Sequence, residues 1–322
     1  MIPITYSPAH TLVPTYECFN RCTYCNFRVD PGQDQWLDLA TAKRCLQGLQ
    51  HTGVTEILIL SGEVHPRSPL RGAWGDRLYD LADLALNLGF LPHTNAGPLT
   101  RSEMARLKTV NVSLGLMLEQ LTPQLLTTVH RHAPSKLPQH RLEQLHLAGE
   151  LQIPFTTGLL LGIGETPADV EESLTAIAHC HRQYGHIQEV ILQPHSPGQH
   201  QSQQAPAYGV TDLIRVIQQA RQVLPPDITL QIPPNLVSNP VDLLTCIDAG
   251  ARDLGGIVAI DEVNPDYHHQ QISALQAWLR QQGYQLQPRL PVYPQFINGL
   301  PPPLRRAVQR HQEKAISVGD RL

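Results

Sequence analysis

Two hydrophobic rhythms alternate along the chain. Ala42, Cys45, Leu46 and Leu49 recur at three- and four-residue spacing behind Asp38, which predicts a capped helix that stops near Gly53. Leu78, Leu81, Ala82, Ala85 and Leu88 repeat that spacing, with Gly89 as the stop. Thr100 and Glu103 form a capping box, in which each side chain can satisfy a free backbone amide of the first turn. Thr122-Pro123, Thr166-Pro167 and Asn239-Pro240 each set a capping side chain before a proline at the first helical position. The helix after Thr166 is expected to bury Val170, Leu174, Ile177 and Ala178 and to end before Gly185.

Short apolar runs separate these helices: residues 11–16, 56–60, 90–94, 110–116, 154–161, 189–193, 228–232 and 255–259. Their continuous apolar character fits parallel strands covered on both faces. Strands alternating with helices predict an α/β fold, a TIM-like (β/α) barrel, with an open six-stranded partial barrel as the rival. We read residues 1–270 as the barrel domain and 271–322 as a C-terminal extension packed on it, holding two helical stretches and a proline-rich connector. No internal repeat and no second domain boundary is visible.

The length of 322 residues suits one such barrel with extensions. A net charge of −4 without a run of either sign argues against a nucleic-acid or anionic-membrane surface. The longest apolar runs are too short to span a bilayer, and the N-terminus shows no signal-peptide pattern, so a cytoplasmic protein is expected.

Three of the six cysteines fall in Cys18-Phe-Asn-Arg-Cys22-Thr-Tyr-Cys25, directly after the first predicted strand. In a reducing compartment such clustering reads as metal chemistry rather than as a disulfide framework. Thiolates suit iron–sulfur clusters or zinc. Four cysteines normally saturate a cubane cluster, so three leave one iron open for another ligand. A zinc knuckle is the alternative, but it needs a fourth ligand, and His10 lies on the far side of a strand. Cys45, Cys180 and Cys246 sit within helical patterns and read as ordinary small apolar residues.

The loop and its position resemble the radical SAM superfamily. That resemblance implies a [4Fe-4S] cluster on Cys18, Cys22 and Cys25, with S-adenosyl-L-methionine chelating the open iron. Ser61-Gly62-Glu63, at the end of the second strand, is similar to the family's Gly-Gly-Glu motif for the methionyl amino group, with serine replacing the first glycine. Tyr24 matches the aromatic position near the adenine, and the Gly158–Glu165 segment, with Gly162 and Gly164, matches the fifth-strand motif beside it. Longer blocks across residues 8–270 resemble, within that superfamily, the deazaflavin-forming branch. The implied activity is a carbon–nitrogen lyase closing the deazaflavin ring with loss of ammonia. Its substrate would be an adduct that a sister radical SAM enzyme makes from tyrosine and 5-amino-6-ribitylaminouracil. A ferredoxin or flavodoxin would be the electron donor.

Other candidates follow from strand ends. His93 and Asn95 end the third strand and face the expected site, while Ser113 and Glu119 flank the fourth and can meet the ribose or methionyl part. Gln193 ends the sixth strand and Asn235 follows the seventh, where polar groups can bond a uracil or ribityl chain. Of the 16 histidines, His130, His132 and His140 read as surface or capping residues. Three function classes compete: the deazaflavin-forming lyase, another radical SAM enzyme of menaquinone-pathway or hydrogenase-maturation type, and a non-catalytic iron–sulfur or zinc protein.

Overall fold

The computed structural model describes residues 1–202, 205–237 and 239–319. Eight parallel strands close into a barrel: β1 (Ile2–Leu12), β2 (Glu56–Leu60), β3 (Leu91–Asn95), β4 (Ser113–Gly115), β5 (Phe155–Leu161), β6 (Ile187–Pro194), β7 (Thr229–Gln231) and β8 (Asp253–Ile257). Closure comes from β1, which pairs with β8 over Thr5–Pro8 and with β2 over Ala9–Leu12. The complete barrel is therefore the observed form, and the six-stranded alternative is not.

Helices α1 (Leu39–Gly48), α2 (Arg71–Asn87), α3 (Arg101–Leu107), α4 (Pro138–Glu150), α5 (Pro167–Tyr184), α6 (Val210–Val223) and α7 (Pro240–Ala249) ring the sheet. Caps read from the sequence form as hydrogen bonds: Asp38 accepts from Thr41 N, Asn239 from Val241 N, and Thr100 and Thr166 each complete a capping box. Trp74, Leu78, Leu81, Ala82 and Ala85 turn the apolar stripe of α2 onto Ile57 and Ile59 of β2 in one continuous core. Thr122-Pro123 differs from expectation. It opens a short 3-10 turn, Pro123–Thr127, with no side-chain cap, and the next α-helix begins only at Pro138.

The first strand begins earlier than the sequence suggests, at Ile2 instead of Thr11. Pro3 and Pro8 lack N–H groups and read as strand breakers. The ladder passes through both because β1 changes partner along its length. Its first residues pair with β9 (Tyr284–Pro288), a parallel strand beyond the eight apolar runs of the sequence. Around β9 lie α8 (Ile272–Gln281) and α9 (Pro302–Gly319). The rest of the expected extension, residues 320–322, lies outside the described residues. Leu91 and Val112, at the entrances of β3 and β4, pack with Val292, Ile297, Leu300, Leu304, Ala307 and Val308 in a separate apolar cluster. That cluster lies at the N-terminal ends of β3 and β4.

Barrels of this type usually fill their interior with branched apolar layers. Here the lower interior is polar: Glu56, His93, Thr156, Glu189 and Asp253 lie near the starts or middles of their strands, Gln231 ends the three-residue β7, and Arg289 enters after β9. A cavity of about 370 Å³ runs from this layer to the C-terminal mouth.

Candidate active site

The cysteine loop forms one wall of the cavity. Beyond β1 the chain turns outward and is pinned by Cys18 N to Val29 O (3.1 Å), Thr23 N to Val129 O (3.1 Å) and Cys25 N to Cys22 O (3.2 Å). Cys18, Cys22 and Cys25 all line the cavity, whereas Cys180 and Cys246 are buried in α5 and α7. Cys45 sits in α1 with its thiol 3.3 Å from His10 Nε2, so that histidine is engaged away from the loop. Burial raises the Cys18 thiol to about 11 and that of Cys22 to about 12. Soft metal ions reverse that preference by holding the sulfur as thiolate. Among the described residues no three histidine, cysteine or carboxylate side chains converge closely enough for a single ion. A lone zinc needs such convergence, whereas a cubane spreads its thiolates over separate irons. Three cavity-facing thiols on one loop are a donor set that suits such a cluster.

Beside the loop stands a group of charges. Gly62 brings the turn after β2 against the first loop so tightly that a β-carbon there would lie 2.1 Å from Glu17 O. Ser61 takes the place of a glycine without distorting this turn, since its hydroxyl accepts from Trp74 Nε1 (3.0 Å) and donates to Gly62 O (2.8 Å). Glu63 then points into the cavity, with Asn20 Nδ2 donating to its Oε2 at 2.8 Å and the Ser135 hydroxyl donating to the same oxygen. Arg141, almost wholly buried, reaches Glu63 Oε1 at 3.4 Å and Glu119 Oε1 at 3.2 Å. Lys136 Nζ bonds Glu119 at 2.5 Å. Burial alone would push the Glu119 carboxyl up, but the Lys136 and Arg141 cations outweigh it and hold the group below the usual carboxylate range. Among the described residues Arg141 Nε has no hydrogen-bond partner. Two carboxylates facing two cations, with one guanidinium N–H unused, fit a zwitterion that brings its own amino and carboxylate groups.

Lys136 and Arg141 escaped the sequence reading. Arg141 nevertheless had a signal: it shares the buried stripe of α4 with Leu145 and Ala148, at spacings of four and seven. An arginine on an apolar stripe needs a buried partner. His130 also departs from the reading as a surface or capping residue. It is 3% exposed, and the Tyr24 hydroxyl lies 2.9 Å from its Nε2. Burial lowers the imidazole to about 4 and raises the Tyr24 phenol well above its ordinary value, so the phenol donates to a neutral ring. His132 is exposed and His140 half-buried, as surface residues would be. Gly162 and Gly164, both at positive φ, line a side cavity with Tyr24.

The strand-end candidates separate. His93, Asn95, Glu119, Gln193 and Asn235 line the cavity. Ser113 does not meet it: fully buried, its hydroxyl donates to Pro291 O at 2.6 Å and accepts from His93 Nδ1 at 2.6 Å. Its contact is with the C-terminal segment, which the sequence pattern did not bring near β4. Asn235 lies in a 3-10 turn and gives its amide N–H to Asp261 Oδ2 (2.8 Å), leaving a buried Oδ1 without a partner. The Asp261 loop roofs the cavity and is tied down by Tyr16 OH to Glu262 (2.6 Å) and Gln199 N to Asp266 (3.0 Å).

Comparison with known proteins agrees with this geometry. Residues 12–177 match the model of the radical SAM superfamily. The chain is 67% identical over 300 residues to the 7,8-didemethyl-8-hydroxy-5-deazariboflavin synthase of Synechocystis sp., covering 93% of this chain and 96% of that one. A protein of the same name from Gloeobacter violaceus is 55% identical over 311 residues, covering 97% and 96%. The chain belongs to the radical SAM superfamily and, within it, to the family of these deazariboflavin synthases. Solved structures share the fold at low identity. The FeFe-hydrogenase maturase HydG from Carboxydothermus hydrogenoformans superposes with a TM-score of 0.72 at 18% identity, covering 88% of this chain and 67% of that one. Methylornithine synthase gives 0.70 at 13%, covering 88% and 84%. No helix among the described residues is long and apolar enough to cross a membrane.

Proposed function

We propose that this protein is the radical SAM lyase that closes the deazaflavin ring of 7,8-didemethyl-8-hydroxy-5-deazariboflavin with release of ammonia. The substrate is the adduct of tyrosine and 5-amino-6-ribitylaminouracil made by a sister enzyme. The observation that carries the reading is the 67% identity to a synthase of that name over nearly the whole chain. The cavity supports it by setting a three-thiol loop, a clamp for a zwitterion and a polar interior around one space. Cys18, Cys22 and Cys25 would hold a [4Fe-4S] cluster. Glu63 would receive the amino group of S-adenosylmethionine, and Arg141 its carboxylate. When bound, cluster and cofactor supply hydrogen abstraction by a primary carbon radical, chemistry that belongs to the cofactor.

The chain's own work is positioning and exclusion. Asn20 and Ser135 fix the Glu63 carboxylate before any ligand arrives, so no ordering is needed at the moment of binding. Tyr24, locked by His130, Gly162 and Gly164 shape the side cavity that suits an adenine. The Asp261 loop excludes water from a site where side reactions must be suppressed. Reduced free cysteines fit a cytoplasmic setting with ferredoxin or flavodoxin as electron donor.

The test is anaerobic turnover of authentic adduct with S-adenosylmethionine and a reductant. A fluorescent deazaflavin, 5′-deoxyadenosine and ammonia should appear together. Cofactor cleavage without deazaflavin overturns the reading and leaves another radical SAM reaction of similar build.

A further inference from the structure

Below the cofactor clamp the cavity continues into a part that no residue of the superfamily motif reaches. Its central feature is His93. The Ser113 hydroxyl has one proton and gives it to Pro291 O at 2.6 Å, so it can only accept from His93 Nδ1, also at 2.6 Å. The imidazole proton is thereby fixed on Nδ1. Nε2 is left as an acceptor on a ring lining the cavity, with no hydrogen bond to it among the described residues. Burial, helped by Arg289, lowers the imidazole to about 3, so the ring stays neutral. Glycine at position 115 keeps the space beside Nε2 open, because a β-carbon there would stand 2.8 Å from that nitrogen.

The groups around His93 are polar, and their charges are paired or displaced toward the neutral form. Arg289 Nε and Nη2 grip Asp253 at 2.6 and 2.9 Å, a neutral pair. Glu189 also accepts from Arg289 Nη2 (2.9 Å) and from Tyr293 OH (3.0 Å), and burial pushes its carboxyl up to about 8. Burial likewise raises Glu56. An ion would find Arg289, the cation here, already paired with Asp253 and Glu189. An apolar ring would strip water from several polar groups without replacing their hydrogen bonds. A flat, neutral ring with donors and acceptors on more than one edge satisfies both constraints. A phenol, with one polar atom, does not.

We propose that this lower cavity seats the pyrimidinedione ring of the substrate, with the imide N–H donated to Nε2 of His93. This rests on the proposed ring-closing function and adds which end of the adduct lies deepest. The phenol then lies in the upper cavity, nearer the cysteine loop. His93 acts as a specificity-determining acceptor, and Ser113 and Pro291 are positioning groups that set its tautomer.

The experiment needs no turnover. Fluorescence of the deazaflavin product is titrated into the anaerobically reconstituted chain. 6-Ribitylaminouracil, its N3-methyl analogue and p-cresol are then used as competitors. On the unmodified chain, N3-methylation should weaken competition by about tenfold to a hundredfold, the range for a buried acceptor left unpaired. His93→Phe keeps the ring volume and should bind the two uracils equally, with iron content unchanged. Equal binding of both uracils by the unmodified chain overturns the seat, a result independent of how the variant folds. So does discrimination that survives in His93→Phe, or p-cresol displacing the product more strongly than the uracil does. If no uracil or deazaflavin binds while the loaded protein still cleaves S-adenosylmethionine, the ring-closing function falls with the seat.

Discussion

The upper and lower halves of this cavity solve opposite electrostatic problems. Above, Glu63, Glu119, Lys136 and Arg141 stand as full charges whose pairing leaves a guanidinium N–H unspent. Below, Glu189 is displaced toward its acid form, and Asp253 and Arg289 cancel. A buried charge must be paired or it is lost. The upper half therefore keeps charges that a zwitterion can complete, and the lower half removes them so that a neutral ring can enter. One barrel can thus hold a charged cofactor and an uncharged ring a few side chains apart without either site attracting the other's ligand.

Four tests break or sharpen that contrast. Alanine at Cys18, Cys22 or Cys25 should abolish iron binding after anaerobic reconstitution, while alanine at Cys45, Cys180 or Cys246 should leave iron content intact. Loss of iron in any of the second set would refute the loop assignment. Arg289→Met leaves Asp253, which has no solvent exposure, uncompensated. Unfolding in urea should show a loss of about 3–5 kcal/mol. In the native fraction, S-adenosylmethionine affinity should hold, since the upper charges do not contact Arg289.

Glu63→Ala tests the upper half alone. A charge-assisted hydrogen bond contributes about 1.5–3 kcal/mol, so calorimetry should find cofactor binding weakened by about one to two orders of magnitude. Iron content and deazaflavin binding should stay normal. The fourth effect is shallower and concerns pH. The Glu189 carboxyl is raised in the folded chain, where it faces Arg289, Asp253, Tyr293 and Gln231. Between its ordinary range and about pH 8 the folded state then holds the extra proton. Stability from this group is full below the ordinary carboxyl range and declines as pH rises toward 8. His93 and His130, lowered to about 3 and about 4, slope the other way below neutrality. The contribution is therefore read as the difference between the parent and Glu189→Gln from pH 6.5 upward. Parallel curves would show that Glu189 is ionised throughout.

Sequence legibility divides along the same line. The thiol loop, the Ser61–Glu63 turn and the capped helices are local: spacing within a few residues sets their geometry, so the chain displays them directly. The lower cavity depends on contacts far apart in sequence, 36 residues from Asp253 to Arg289 and 100 from Glu189 to Arg289. β9, with Tyr-Gln-Leu-Gln-Pro, has the alternation of a strand, yet it is short, half polar and set between helices, so it does not stand out as one. Without β9 the pattern offers Arg289 no route to the barrel, and Ser113 reads as a cofactor contact instead of a partner of His93. His130 was hidden for a similar reason, since its partner Tyr24 is 106 residues away.

Arg289 also bears on how the chain reaches its native state. Ribosomes release residues in order, so all eight barrel strands are available before the cation that neutralises their interior. Until β9 docks on the start of β1, Asp253 and Glu189 share the lower barrel without a counter-ion. A barrel closed that early would hide an unpaired carboxylate, so water must stay with it until the last segment arrives. The first strand to be made is therefore completed by the last. Chains cut short before residue 284 should remain loosely packed and sensitive to protease, however well their helices form.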